Sequence, residues 1–203
     1  MTTARETAVG QVAAVILAAG TSRRLRRPKQ TLPLRGRPLL QHVVDAAVGA
    51  GLADVVVVLG HASDKVEERI RFPAGVRTVM NEDYRSGQAS SLRTGLEALG
   101  EEIDAAVVLL GDQPDIPPET IRAVVDAFRD RHVPIVQATY GGSPSHPVLL
   151  ARETWEEARA IEGDIGAREL IAQHPDRVAR VEIGGEPPSD LDTWQDYENL
   201  RDD

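Results

Sequence analysis

The sequence predicts an α/β fold of three layers, in which a mostly parallel sheet carries helices on both faces. Three observations point there. Strand-like and helix-like segments alternate over about the first 140 residues, the mark of successive βαβ units. The runs "DVVVVLG" and "AAVVLLGD" are apolar without alternation, as strands covered on both sides are. At 203 residues and 41% hydrophobic, the chain can bury such a sheet in one domain spanning 1–203. Aromatics make up only 3%, so Val, Leu, Ile and Ala must fill the core.

The elements follow in order. Residues 1–11, "MTTARETAVGQ", have no periodic pattern and are expected to form a flexible tail. Strands are predicted at 12–18, 55–59, 76–80, 105–110, 133–139, 148–151 and 178–183. Between them, "PLLQHVVDAAVGAG" places apolar residues at helical spacing and stops at Gly51. "ASDKVEERI" and "SSLRTGLEALG" read as the next helices. "PPETIRAVVDAFRDR" opens with proline in its first turn. "ARELIAQ" and "TWQDYENL" are the late helices, the second led by Thr193 with Asp196 three residues on, as in a capping box. The last third is less regular and is expected to add an antiparallel strand. The whole reads as a Rossmann-like sheet.

Composition excludes several function classes. There is no cysteine, so disulfides and thiolate-bound metals are excluded, and a reducing cytoplasm is the expected compartment. No apolar run reaches the ~18 residues of a membrane helix. The N-terminus has no apolar signal core, so secretion is not expected. A net charge of −9 argues against nucleic acid as a partner. The distribution of charge is more telling. No acid occurs between Glu6 and Asp45, and that gap holds Arg23, Arg24, Arg26, Arg27, Lys29, Arg35 and Arg37. A basic island in an acidic chain points to a compact anionic ligand, with a solvated basic loop as the alternative.

In open α/β sheets, ligands bind at the carboxyl ends of strands. Two loops qualify. The first is "LAAGTSRRLRRPK". It starts at Leu17; Ala18, Ala19 and Gly20 are small, so backbone N–H groups there can approach a ligand closely, while Arg24 and Lys29 could clamp phosphate oxygens. It is neither a P-loop nor a dinucleotide fingerprint, because G-x-x-x-x-G-K-[ST] and G-x-G-x-x-G are both absent. The second is "LLGDQPDIPPE". Asp112 stands at the end of a buried strand, where its carboxylate could hold magnesium or simply cap a turn. In "PSDLDTWQDY", either Asp190 or Asp192 could be a second metal ligand, and an extended segment would point both the same way. "NEDYRSGQASSLRTG" offers Asn81, Gly87, Ser90 and Ser91 at a strand-to-helix turn, to read a nucleobase or to cap the helix. His146 precedes a strand-like run, and Asp164 reads most simply as an N-cap. No G-x-S-x-G elbow and no H-E-x-x-H zinc motif is present.

In this order the segments resemble the nucleotidyltransferase family that includes the molybdenum-cofactor cytidylyltransferases and guanylyltransferases. The resemblance runs from "VILAAGTSRRLRRPKQTLPLRGRPLLQHVV" through "NEDYRSGQASSLRTGLEAL", "VVLLGDQPDIPPE", "SPSHPVLL" and "GDIGARELI" to "DLDTWQDYENL". It implies that Leu17, Ala18, Ala19 and Gly20 wrap base and phosphates. It implies that Arg24 and Lys29 bind phosphate, and that Asp112 and Asp192 hold Mg2+. "LAAG" together with "GDQP" resembles the cytidylyltransferase branch, which favours CTP over GTP. The guanylyltransferase pattern more often has glycine at the position of Ala19. The implied acceptor is molybdopterin, with a molybdenum hydroxylase as a further partner, and His146 and Asp164 fall on the acceptor side.

The chain departs from the pattern at Arg26, where relatives commonly carry glycine. If that position needs a positive φ, arginine there is strained. "SHP" replaces the more usual "GHP". The implied reaction moves CMP from CTP onto a phosphate-bearing acceptor with release of pyrophosphate. The competing readings are an accessory protein that binds nucleotide without turnover, and an oxidoreductase on the same fold.

Overall fold

A computed structural model of the chain describes residues 10–202. The strands are β1 (Gln11–Leu17), β2 (Pro33–Leu34), β3 (Arg37–Pro38), β4 (Asp54–Leu59), β5 (Val76–Met80), β6 (Ile103–Leu110), β7 (Ile135–Tyr140), β8 (Ser143–Ala151) and β9 (Val178–Glu182). The helices are α1 (Leu39–Gly49), α2 (Ser63–Glu67), α3 (Gln88–Glu97), α4 (Pro118–Arg131), α5 (Trp155–Ala160), α6 (Ala167–Gln173) and α7 (Trp194–Asp202).

Seven strands form one sheet in the order β5-β4-β1-β6-β8-β7-β9, and β2 pairs with β3 in a separate hairpin. All neighbours in the large sheet are parallel except those of β8, which runs antiparallel to both β6 and β7. The predicted three-layer, mostly parallel architecture is therefore present, with its antiparallel strand near the C-terminus. Valine explains the centre of the sheet. In β4, Val55 and Val57 face one layer while Val56 and Val58 face the other, and all are buried. One layer packs α1 and α4 through Leu40, Val44, Ile121 and Val124. The other packs α3, α5 and α6 through Leu92, Leu96, Trp155 and Leu170. Gly95 lets α3 lie against the sheet, since a Cβ there would come within 2.3 Å of a Val15 methyl.

The chain leaves β1 toward β4 and β5, then returns to β6 on the other side of β1. That reversal opens a crevice at the carboxyl ends of β1 and β6, where such sheets bind ligands. Two expectations change. Residues 1–9 of the expected tail lie outside the described residues, but Gln11 opens β1, pairs with Ile103 and donates its N–H to Asp104 at 2.8 Å. The hairpin and α5 were not foreseen. Both are too short to show a period. Among the described residues, no helix is long and apolar enough to cross a membrane.

Candidate active site

A cleft of about 740 Å3 opens over the carboxyl ends of β1 and β6. Small residues make the strand ends compatible. The N–H of Gly111 donates to the Leu17 carbonyl at 2.9 Å, and a Cβ on Gly111 would meet that oxygen and the Ala18 methyl at 3.0 Å. Ala18 donates its N–H to Val58 and is buried, as is Ala19.

The backbone of the basic loop beyond Gly20 is pinned, while the side chains of Arg23, Arg24, Arg26 and Arg27 are exposed. The N–H groups of Leu25 and Arg26 both donate to the Ser22 carbonyl at 3.1 Å, and that of Lys29 donates to Ser22 Oγ at 3.0 Å. Buried Gln30 donates from Nε2 to the Ala18 carbonyl at 2.7 Å. Leu25 inserts into a small apolar cluster with Leu32, Leu34, Leu39, Leu191 and Tyr197. The cluster ties the loop to the chain just before α7. Arg26 has φ +56, the left-handed conformation that a glycine would adopt without strain. For an L-residue this costs about 1–2 kcal/mol.

The same cluster sets the acids. Leu191 donates its N–H to the Asp112 carbonyl at 3.2 Å, which brings the 190–192 segment beside the β6 end. Asp196 accepts from the N–H groups of Asp192 and Thr193, at 3.0 and 2.7 Å, and donates its own N–H to Thr193 Oγ1 at 3.2 Å. This is the capping box expected from the sequence. Asp112 and Asp192 then converge on one cation. Lys29 Nζ lies 2.5 Å from Asp112 Oδ2 and 2.8 Å from Asp192 Oδ1, and Arg24 reaches Asp192 Oδ2 at 3.3 Å. Asp190 also lines the cleft but takes a different partner. Its carboxylate accepts from Gln113 Nε2 at 2.7 Å.

Burial works to lower the Lys29 pKa, but the Asp112 and Asp192 carboxylates outweigh it, and the ammonium stays above its ordinary 10.5. For Asp112, burial pushes the carboxyl up and the neighbouring Asp190 charge adds to this, while Lys29 pulls it down. The contact at 2.5 Å and the second carboxylate on Lys29 favour the ionised pair. His146, partly buried on the cleft wall, is pushed down to about 4 by burial; Arg168 adds to the shift and Asp112 opposes it. Its imidazole is neutral at physiological pH.

A pair of carboxylates focused on one positive centre fits a hard divalent cation, which takes one or two carboxylates and completes its shell with substrate phosphate and water. Among the described residues, no set of three or more His, Cys, Asp or Glu side chains is arranged to hold a metal.

Of the residues singled out in the sequence, Leu17, Ala18, Ala19, Gly20, Arg24, Lys29, Gly87, Ser91, Asp112, Asp190, Asp192, His146 and Asp164 line this one cleft. Asn81 does not line it. It is buried behind the wall, donating to Ser90 and Ser91 at 2.9 and 3.0 Å and accepting from the Asp83 N–H, so any contact with a ligand would pass through Ser91. Asp164 is not the cap of the helix that follows it. It accepts from the Gln88 N–H at 3.2 Å, at the start of α3. Gln113, Gln137 and Arg168 also line the cleft and were not foreseen. A glutamine inside the apolar run "PIVQATY" was the available signal for Gln137.

The chain is similar to several known proteins. The chain is 32% identical to Rv0371c from Mycobacterium tuberculosis H37Rv, whose crystal structure superposes with a TM-score of 0.88 over 97% of this chain and 100% of that one. A structure of Rv0371c in complex with manganese superposes with a TM-score of 0.82 at 30% identity, over 96% and 99% of the two chains. Nicotine blue oxidoreductase from Paenarthrobacter nicotinovorans is 31% identical over 93% of this chain and 96% of its own. The bifunctional protein GlmU of Burkholderia orbicola is 39% identical over 89% of this chain, but the chain spans only 39% of GlmU. The model of the MobA-like NTP transferase domain matches residues 14–178, and the chain belongs to that nucleotidyltransferase family.

Proposed function

We propose that the protein transfers a nucleoside monophosphate from a nucleoside triphosphate, CTP in preference to GTP, onto the phosphate of a molybdopterin-type acceptor, releasing pyrophosphate. The observation that carries this reading is the convergence of Asp112 and Asp192 on Lys29 beneath the small-residue loop. A phosphate oxygen of the acceptor attacks the α-phosphorus in line, the bond to the bridging oxygen breaks, and pyrophosphate leaves with the electron pair. A phosphate nucleophile needs no strong base, so positioning and charge neutralisation do most of the work. Leu17, Ala18, Ala19, Gly20, Gly87 and Ser91 shape the nucleotide side. Arg24 and Lys29 stabilise charge on the departing phosphates. Asp112 and Asp192 would hold Mg2+, which when bound neutralises phosphate oxygens. His146 and Asp164 face the acceptor.

The test is pyrophosphate release with a molybdopterin acceptor, run with CTP, GTP and ATP in parallel. Release with CTP ahead of GTP and ATP supports the reading. CTP binding without release would leave a nucleotide-binding accessory protein. A second reading, an oxidoreductase, draws on the likeness to nicotine blue oxidoreductase along nearly the whole of both chains. Flavin absorbance in purified protein that releases no pyrophosphate would favour it.

A further inference from the structure

The basic loop has two faces, and the cleft occupies only one. On the other, between the loop and the turn that leads into α2, lies a second concavity of about 320 Å3. Arg23, Arg26 and Arg27 form one wall, and His61 and Lys65 the other. No Asp or Glu lines it.

Two properties distinguish it from an ordinary basic surface. The first is the state of its charges. The neighbouring basic residues Arg24, Lys29, Arg35 and Arg37 are each paired with a carboxylate. Arg23, Arg26, Arg27 and Lys65 have no carboxylate within 4.0 Å among the described residues. Arg27 instead lies 5.3 Å over the Trp194 ring. That leaves Arg23, Arg26 and Lys65, among the described residues, as three cations without a partner around one hollow; they repel one another, and an anion relieves that repulsion. The second is the backbone. Five non-glycine residues of the described chain have positive φ, and three of them, Ser22, Arg26 and Ala62, line this one hollow. Left-handed non-glycine residues are costly and gather at sites whose geometry is functional. Here they lie on both walls.

We propose that this hollow is a second anion site, separate from the cleft, that binds a compact phosphate ion. Its concavity and its volume, less than half that of the cleft, suit a small polyoxyanion rather than an extended acidic surface. Thr21, Ser22 and Arg23 line both cavities, so the site adjoins the phosphate end of the cleft. Its ligand is either diphosphate or free orthophosphate, two sources of the same chemistry. The assignment does not depend on nucleotidyl transfer.

The experiment is calorimetric titration of metal-free protein in 0.15 M KCl with inorganic pyrophosphate and, separately, with orthophosphate. Lys29→Ala, which weakens the cleft, should keep one saturable pyrophosphate site. Lys65→Ala and Arg26→Gly should each weaken that site about tenfold, the loss expected for one charge-assisted contact. Melting curves check that the variants fold, and if Arg26→Gly does not, Lys65→Ala carries the test. Tighter binding of pyrophosphate assigns the site to diphosphate, and equal or tighter orthophosphate binding assigns it to the free ion. Absence of a saturable site in Lys29→Ala, or undiminished affinity in Lys65→Ala, overturns the proposal. CTP affinity of the wild-type protein, measured alongside, reports separately on the cleft.

Discussion

Lys29 Nζ and Asp112 Oδ2 lie 2.5 Å apart across 83 residues of sequence, at the point where Asp192 also arrives. With Arg24 on the other oxygen of Asp192, two carboxylates face two cations, a balanced centre to which a divalent cation would add positive charge. Asp112→Asn removes the carboxylate charge and keeps the shape of the side chain. The variant should fold and lose divalent-cation-dependent pyrophosphate release by about a hundredfold, as expected for a contact of ~3 kcal/mol in the transition state. Turnover at the wild-type rate in purified Asp112→Asn would remove Asp112 from the metal site.

Lys29→Ala acts on the same centre with the opposite sign. It leaves Asp112 and Asp192 without their shared counter-charge and takes away the ammonium that the proposed function assigns to the phosphates. Nucleoside triphosphate affinity should fall about tenfold or more. Calorimetry with CTP measures it, and an unchanged dissociation constant would show that the lysine does not hold the phosphates.

Much of this could be read from the chain because buried parallel strands write themselves as valine runs, and because functional loops follow such strands. Asp112 follows one of those runs and Lys29 lies in the basic loop after β1. What brings Asp192 to them could not be read. The Lys29–Asp192 contact spans 163 residues, and it depends on Leu191 entering a cluster with Leu25 and Tyr197 that no local pattern announces. Spacing also misled at short range. Asp164 sits where a cap for α6 is expected, yet bonds to the start of α3. Asn81 looked available to a ligand because a turn amide looks the same whether it faces solvent or supports a wall. Arg26 is the converse case, since the resemblance alone raised the question of a positive φ that the backbone answers.

His146 predicts a pH dependence. Its folded pKa is about 4, below its ordinary 6.5. Below pH 6.5 the unfolded chain takes up a proton that the folded chain refuses, so the contribution is fully present above that pH and is lost as pH falls toward 4. The loss is at most ~3 kcal/mol, reduced by the partial exposure of the ring. Urea unfolding between pH 7 and pH 4.5 should show the decline in the wild type and a smaller one in His146→Gln. An imidazole resonance titrating near 6.5 would contradict it.

Gly87 lines the cleft where the start of α3 meets the Gly163–Asp164 turn. Its φ of +116 with ψ of 179 lies in a region that only glycine adopts readily. A Cβ there would come within 2.4 Å of the Gly163 carbonyl group and 2.8 Å of the Asp164 nitrogen. Those atoms are backbone, and the Gly163 oxygen already accepts the Ala89 N–H at 3.0 Å, so the contact cannot open without loosening the start of α3. Gly87→Ala should therefore cost about 2–3 kcal/mol and weaken triphosphate binding, because Ser91 and Asp164 stand on the two parts it forces apart. Gly184→Ala separates the two causes. That glycine has φ +80 but no atom within 4 Å of its Cβ position, so it should show only the left-handed cost of about 1 kcal/mol and no change in binding. Equal destabilisation of the two variants would mean that the backbone angle, and not the contact with Gly163, is what Gly87 provides.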